Sequence, residues 1–287
     1  MIPVMRLPSA IWFRALMFRR VGFRKGARAA FLLTMQAGSL TIAAEPAKPT
    51  PVSKYKLPTE VQERLAKHLN GKDGSCIPYP WKDVEERILT WPAKKLPLVA
   101  YGSLLARESA SRTIKTDASE GSPPVLVLGA KRVFNYVMPK EALARYQTPP
   151  NSRNGAALNV LYTKSKSDVL NGRLLMVRSE DIPALREREY GYDLCPVSCV
   201  LWDDREAQPF TAYILAARNA REFRRRVADD SLLPNLEYAR LCRQGALSVS
   251  PDFLAFYLET TFLADRATTM FEWEKLHPEF TREPEAK

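Results

Sequence analysis

Between Leu96 and Ala216 the chain is written in short apolar runs separated by turn residues. Leu96–Ala100, Val125–Phe134, Ala156–Tyr162, Val169–Val177, Pro196–Trp202 and Phe210–Ala216 are rich in Val, Leu, Ile, Ala and aromatic residues, the pattern of strands bounded by turns. Beyond Arg218 the spacing becomes helical. Pro234 to about Gly245 carries Leu236, Ala239, Leu241 and Cys242. Ser250-Pro251-Asp252 offers a capping hydroxyl, a proline and a first-turn acid, and predicts a helix over Phe253–Leu263. Upstream of the strands, Thr59 caps a predicted helix with Val61, Leu65 and Leu69 on one face, ended by Asn70-Gly71. A second helix is expected from Trp81 to about Leu89, stopped before Pro92. Both are too short to bury a core of their own. Strands followed by helices predict an α+β fold, with several strands closing a small barrel and helices packed outside it.

Charge is unevenly spread along the 287 residues. The formal net charge is +11, yet residues 1–44 hold Arg6, Arg14, Arg19, Arg20, Arg24, Lys25 and Arg28 and no acid. A mostly apolar stretch follows, from Ala29 to Ala44, with small residues just before Glu45. That order of basic, apolar and small residues is the order of an export signal. Counting from Met17 gives the basic region a more usual length, and an Arg-rich organellar transit peptide is the competing reading. The basic excess therefore argues for targeting rather than for a nucleic-acid partner. Residues 45–95 read as a Pro-rich linker and helical extension, and 96–287 as the folded domain. No other apolar run approaches the ~20 residues that span a bilayer, so no membrane span is expected in the mature protein.

The inventory of reactive side chains narrows the chemistry. With two histidines, His68 and His277, at the periphery of the sequence, a Ser-His-Asp or Cys-His arrangement has little to recruit. Most zinc sites need more imidazoles or thiolates than this chain offers. Neither a Walker motif nor a dinucleotide Gly-x-Gly fingerprint is present. Four cysteines in an exported chain permit disulfides without assigning them. Cys195 and Cys199 are not expected to pair, since four residues of strand separate them by ~13 Å. An acid–base group in this chain is expected to be a carboxylate.

Two segments are candidates for a site. In Val99-Ala100-Tyr101-Gly102-Ser103-Leu104-Leu105 an apolar strand runs straight into Tyr-Gly-Ser. Glycine permits a sharp turn there, and the N–H groups of Gly102, Ser103 and Leu104 could converge on an anion. The plain alternative is an ordinary turn with Tyr101 in the core. In Ser179–Asp193, Ser179 caps a predicted short helix and Gly191 ends it, which puts Glu189 in its last turn. The negative end of the helix dipole there raises a carboxyl pKa, as suits a general base that returns its proton. Here the plain alternative is that Glu187 and Glu189 are solvated partners of Arg186 and Arg188.

Taken in order, these segments resemble the gamma-glutamylcyclotransferase-like family. The resemblance rests on Tyr101-Gly102-Ser103-Leu104 with Ser111-Arg112-Thr113, then Arg132-Val133-Phe134-Asn135, Ala157-Leu158-Asn159-Val160 and Val169-Leu170-Asn171-Gly172. It continues through Leu185–Tyr192, Pro234–Tyr238 and Gly245-Ala246, covering roughly residues 96–265. Arg188-Glu189-x-Gly-Tyr is similar to the glutathione-specific branch, although many relatives carry glycine where this chain has Tyr190. The resemblance implies a small mixed β-barrel with surrounding helices and a helical N-terminal extension. It further implies a small-molecule gamma-glutamyl substrate, Glu189 as the catalytic carboxylate, Tyr101, Gly102, Ser103, Leu104 and Tyr192 at the substrate, and a reaction that requires no metal or organic cofactor. Arg112 is a carboxylate anchor or an ion pair, and Asn135 and Asn159 are expected to satisfy backbone groups at the barrel end. Two rivals stay open: a binding domain on the same fold without turnover, and polyanion binding through the arginines between Arg218 and Arg226.

Overall fold

The apolar runs close on one another. The computed structural model describes residues 57–69, 80–88, 90, 94–115, 122–150, 152–163, 165, 167–217 and 231–281. In chain order its helices and strands are α1 (Thr59–Leu69), α2 (Trp81–Ile88), β1 (Lys95–Ala100), α3 (Arg107–Ser111), β2 (Pro124–Leu128), β3 (Ala130–Val137), α4 (Lys140–Arg145), β4 (Ala156–Tyr162), β5 (Val169–Arg178), α5 (Ile182–Arg188), β6 (Tyr192–Leu201), β7 (Phe210–Ala217), α6 (Leu236–Leu247), α7 (Pro251–Glu259), β8 (Thr261–Phe262), α8 (Met270–Leu276) and α9 (Pro278–Thr281). β1, β5, β2, β6 and β7 form a closed barrel in that order. The ring closes through a parallel pairing of β1 with β7, Leu98 opposite Tyr213, while its other pairings are antiparallel. The fold is thus α+β with a mixed barrel, as the strand and helix pattern implied.

Leu96, Leu98, Val125, Val127, Val197 and Ile214 are wholly buried in the main core. Burying each such aliphatic side chain contributes roughly 1.5–3 kcal/mol. β4, β3 and β8 form a second sheet beside the barrel. The expected strand Val125–Phe134 is in fact two strands, one in each sheet. The break falls at Gly129, whose φ of 78° is costly for any other residue. Gly129 donates its N–H to the Asp168 carbonyl at 2.7 Å and accepts from Thr163 N at 2.9 Å, which anchors the crossing.

Other boundaries move for visible reasons. β6 begins at Tyr192 rather than Pro196, because its ladder with β7 continues to Tyr192 opposite Ala217. α7 starts where Ser250 accepts from Phe253 N at 3.0 Å, but ends at Glu259, and Thr261–Phe262 then pair with β3. α6 starts at Leu236, capped by Asn235, which accepts from Tyr238 N at 3.0 Å. The N-terminal helices pack on the barrel. Val61 of α1 joins Leu126, Leu128, Val200 and Phe256, and Trp81, Val84 and Ile88 of α2 join the main core. Trp81 Nε1 donates to the Tyr192 carbonyl at 2.8 Å, so this extension also steadies the start of β6.

Cys195, Cys199 and Cys242 are buried, and none of them is joined to another in a disulfide. No helix among the described residues is long and apolar enough to cross a membrane. The leader, Cys76 and the arginines between 218 and 226 lie outside the described residues.

Candidate active site

β1 delivers the chain to Tyr101, whose hydroxyl donates to the Leu215 carbonyl of β7 at 2.6 Å. The chain then turns through Gly102 into a 3₁₀ turn, Ser103–Leu105, with Leu105 N–H closing on the Gly102 carbonyl at 2.9 Å. Gly102 is needed for close approach: a Cβ there would stand 2.8 Å from Tyr238 Oη. Beneath the turn, α6 comes backbone to backbone at Gly245, where a Cβ would lie 2.6 Å from Ala106 N. Side chains as small as hydrogen at both points allow helix, loop and strand end to meet.

Glu189 arrives from the other side. A 3₁₀ turn at Ser179–Asp181 precedes α5, so Ser179 does not cap the helix as expected. Glu189 is the residue just past the end of α5. Its N–H donates to the Leu185 carbonyl at 2.9 Å, and its own carbonyl accepts from Tyr192 N at 2.8 Å. Its side chain is 15% exposed and pairs with Arg188, Nε to Oε1 at 3.2 Å. The Glu189 carboxyl lies above its ordinary range because burial disfavours the anion, an effect the Arg188 guanidinium partly offsets. The direction is the one expected from sequence, and its leading cause is burial.

Glu189, Tyr101, Gly102, Ser103, Leu104 and Tyr192 all line one cavity, together with Leu158, Leu215 and Tyr238. Residues more than eighty positions apart in sequence therefore converge. Tyr192 donates its hydroxyl to the Leu158 carbonyl at 2.8 Å, and its ring lies tilted against Tyr136 at 4.7 Å. The hydroxyls of Tyr101, Tyr192 and Tyr238 are held protonated far above the ordinary phenol range, chiefly by burial, so each remains a donor. The cavity is half open to solvent and its free volume is small, about 30 Å³, room for about one water molecule. A larger cavity of about 380 Å³ lies against Val137, Pro139, Leu143, Pro150 and Leu232, but its charged side chains, Lys140 and Glu141, are exposed. It holds no buried acid or base, so the chemistry belongs to the smaller cavity.

Several candidates stand elsewhere. Arg112 is exposed and pairs with Glu108 at 2.9 Å, and it does not line the cavity. Asn159 Oδ1 accepts from Val160 N and Ala217 N at 2.7 and 2.8 Å, and its amide donates to Asn135 Oδ1 at 3.1 Å. Asn159 thus satisfies backbone groups as expected, whereas Asn135 accepts only from Asn159 and its Nδ2 is buried without a partner. His277 is exposed and pairs with Glu279. Arg132 is wholly buried, with its pKa lowered to about 10 by burial. It binds the carbonyls of Tyr101 and Asn171 and the hydroxyl of Thr261. It thereby supports the strand end behind the cavity without reaching it. Among the described residues, no three His, Cys, Asp or Glu side chains gather as a metal site.

Two site residues escaped the sequence reading. Tyr238 sits in the first turn of α6 and lines the cavity; its signal was the Asn235 cap, which fixes where that helix begins. Arg188 ties Glu189 to the segment after β1, with Nη2 donating to Ser103 Oγ at 3.0 Å. Its signal was adjacency to Glu189, which suggested only a surface pair.

No family model matches the sequence, and no curated protein matches it significantly. Three solved structures show what the chain is similar to. YkqA from Bacillus subtilis aligns at 14% identity and a TM-score of 0.42, over 72% of this chain and 61% of its own length. This chain thus spans less than two thirds of that relative. A structure named gamma-glutamyl cyclotransferase aligns at 17% identity and a TM-score of 0.39, over 54% of this chain and 79% of its own. A yeast gamma-glutamyl cyclotransferase specific to glutathione aligns at 15% identity and a TM-score of 0.31, over 58% of this chain and 95% of its own. What the chain is similar to, at this distance, is a set of structures that includes gamma-glutamyl cyclotransferases.

Proposed function

We propose that this chain cyclises a gamma-glutamyl group to 5-oxoproline and releases the attached amine. The observation that carries the reading is the single cavity that joins the buried Glu189 carboxyl to the Tyr101–Leu104 turn. In this reaction the substrate's α-amine nitrogen attacks its own γ-carbonyl carbon, and the bond from that carbon to the leaving nitrogen breaks. One proton leaves the attacking nitrogen and one is gained by the departing amine. Glu189 performs both transfers, and a carboxyl raised by burial suits a group that must accept and then return a proton. Folding the chain for five-membered ring closure supplies much of the acceleration, since proximity contributes ~7–11 kcal/mol in favourable cases.

The turn after β1 serves the α-carboxylate, through the amides of Gly102–Leu104 and the Ser103 hydroxyl. Tyr238 and Tyr192 add hydroxyls at the wall. The cavity is half open to solvent, so a gamma-glutamyl group can enter it in part and extend outside. Tyr238, which stands over Gly102, is the side chain that limits the space at the turn. A second reading, a domain that binds gamma-glutamyl compounds without turnover, is favoured by Tyr190 in the position where many relatives carry glycine. In either case residues 1–44 act as an export leader, and residues 45–95 as the linker and extension ahead of the catalytic domain.

The test is 5-oxoproline release by the full-length protein from glutathione, gamma-glutamyl dipeptides and gamma-glutamylamines. Release from any of them supports the reaction and names the leaving amine. Saturable binding with no release supports the second reading.

A further inference from the structure

A guanidinium carries five N–H donors and no acceptor. The four Nη donors of Arg188 all go to oxygens of this protein, and its Nε is ion-paired with Glu189. Nη1 donates to the Ser109 carbonyl at 2.6 Å and to Thr113 Oγ1 at 3.1 Å. Nη2 donates to Ser103 Oγ at 3.0 Å and to Ser109 Oγ at 2.9 Å, and Nε meets Glu189 Oε1 at 3.2 Å. No Nη donor remains for a substrate carboxylate. Arg188 is therefore not a substrate anchor, although it is a cation beside the catalytic acid.

We propose that Arg188 is the positioning residue of the site, one rigid fork that fixes the Ser103 hydroxyl and the Glu189 carboxylate relative to each other. The proposal rests on the cyclotransferase reading above and deepens it. The Ser103 hydroxyl accepts from Arg188, so its single proton points away from the guanidinium, on a residue that lines the cavity. The same fork holds Glu189 through Nε. Carboxylate donor and general base are thereby spaced by a planar group that does not flex. Lysine cannot substitute, because three donors on one atom cannot reach oxygens on Ser103, Ser109, Thr113 and Glu189 together. Glu189 in turn raises the phenols of Tyr101, at the end of β1, and Tyr192, on β6, and Arg188 is the cation that acts on it.

A merely structural role, tying α3 to the end of α5, makes a different prediction. Ser109→Ala with Thr113→Val weakens that tie and leaves the contacts to Ser103 and Glu189 intact. With the full-length protein and the best gamma-glutamyl substrate, positioning predicts that this double variant stays within about tenfold of wild-type kcat/KM. Arg188→Lys and Arg188→Gln should lose about 100-fold, the scale of a misplaced reacting group, with KM raised and kcat lowered together. Free guanidinium added to Arg188→Ala should restore part of kcat, and ammonium should not. Wild-type turnover in Arg188→Lys, or equal losses in the double variant, overturns the proposal.

A second readout does not depend on turnover. Carboxyl NMR of Glu189 should show its titration moving further upward in folded Arg188→Gln or Arg188→Lys, because the cation at Nε is gone or displaced. An unmoved titration overturns the positioning role. Silence of the wild type toward every substrate, with the titration moved, sinks only the reading of the reaction.

Discussion

One methyl group at Gly191 should do more damage than its size suggests. A Cβ there would overlap Tyr136 Oη and stand 2.8 Å from Tyr136 Cζ, well inside the ~3.5–4.0 Å of an ordinary carbon contact. Gly191 lies two residues beyond Glu189 and one before Tyr192, so its backbone is fixed on both sides. The Glu189 carbonyl accepts from Tyr192 N at 2.8 Å across it. Tyr136 must therefore be the group that moves, and its ring lies 4.7 Å from that of Tyr192 on the cavity wall. Overpacking of this kind costs about 1–3 kcal/mol. For a domain of this size each kcal/mol lowers Tm by ~2–4 °C, so Gly191→Ala should melt roughly 2–12 °C below wild type. Differential scanning calorimetry of the four proteins in a cycle with Tyr136→Phe identifies the source. Removing the hydroxyl relieves the worst overlap but not that with Cζ, so the loss should shrink without vanishing. An equal loss in both backgrounds, or none, would refute the reasoning.

Three further outcomes follow from the same geometry. Burial raises the folded-state pKa of Glu189 above its ordinary 4.5, so the stability that its protonated form contributes is complete at low pH and is lost as pH rises through the folded value. Glu189→Gln should therefore melt above wild type near neutral pH, with the gap closing as pH falls below 4.5; a constant gap contradicts burial as the cause. Tyr238→Phe removes a hydroxyl from the cavity wall and should weaken kcat/KM by up to about tenfold, the worth of one neutral hydrogen bond, at unchanged Tm. Arg112→Ala should leave both activity and Tm nearly untouched, because an exposed pair with Glu108 is worth ~0–1 kcal/mol; a large loss of substrate affinity would restore it as an anchor.

Local signals made much of this fold legible. β4 matches its predicted range, and β1, β5 and β7 differ from theirs by one residue at an end, because each apolar run is framed by turn residues that the barrel also uses as ends. What failed was set by partners distant in sequence. Gly129 reads as a strand interior until two sheets claim the residues on either side of it. The Tyr192 start of β6 depends on how far β7 runs, and the Glu259 end of α7 on β3 taking Thr261. At the site, chemistry alone left Gly102, Ser103 and Glu189 as candidates beside an ordinary turn and a surface pair, and the family resemblance set them apart. Arg188 could not be picked out. Its donors reach Ser103, Ser109 and Thr113, and only the fold brings those oxygens to it. Tyr238 was equally hidden, because α6 reaches the cavity through the close approach at Gly245.

The most direct measurement is the rate of 5-oxoproline formation by wild type and Glu189→Gln on the same gamma-glutamyl substrate, with binding of that substrate measured alongside. The amide keeps the size of the side chain and an oxygen for Arg188 but cannot shuttle a proton. The account predicts unimpaired binding with kcat reduced by about 10²–10⁴-fold. Turnover at the wild-type rate by Glu189→Gln would contradict it.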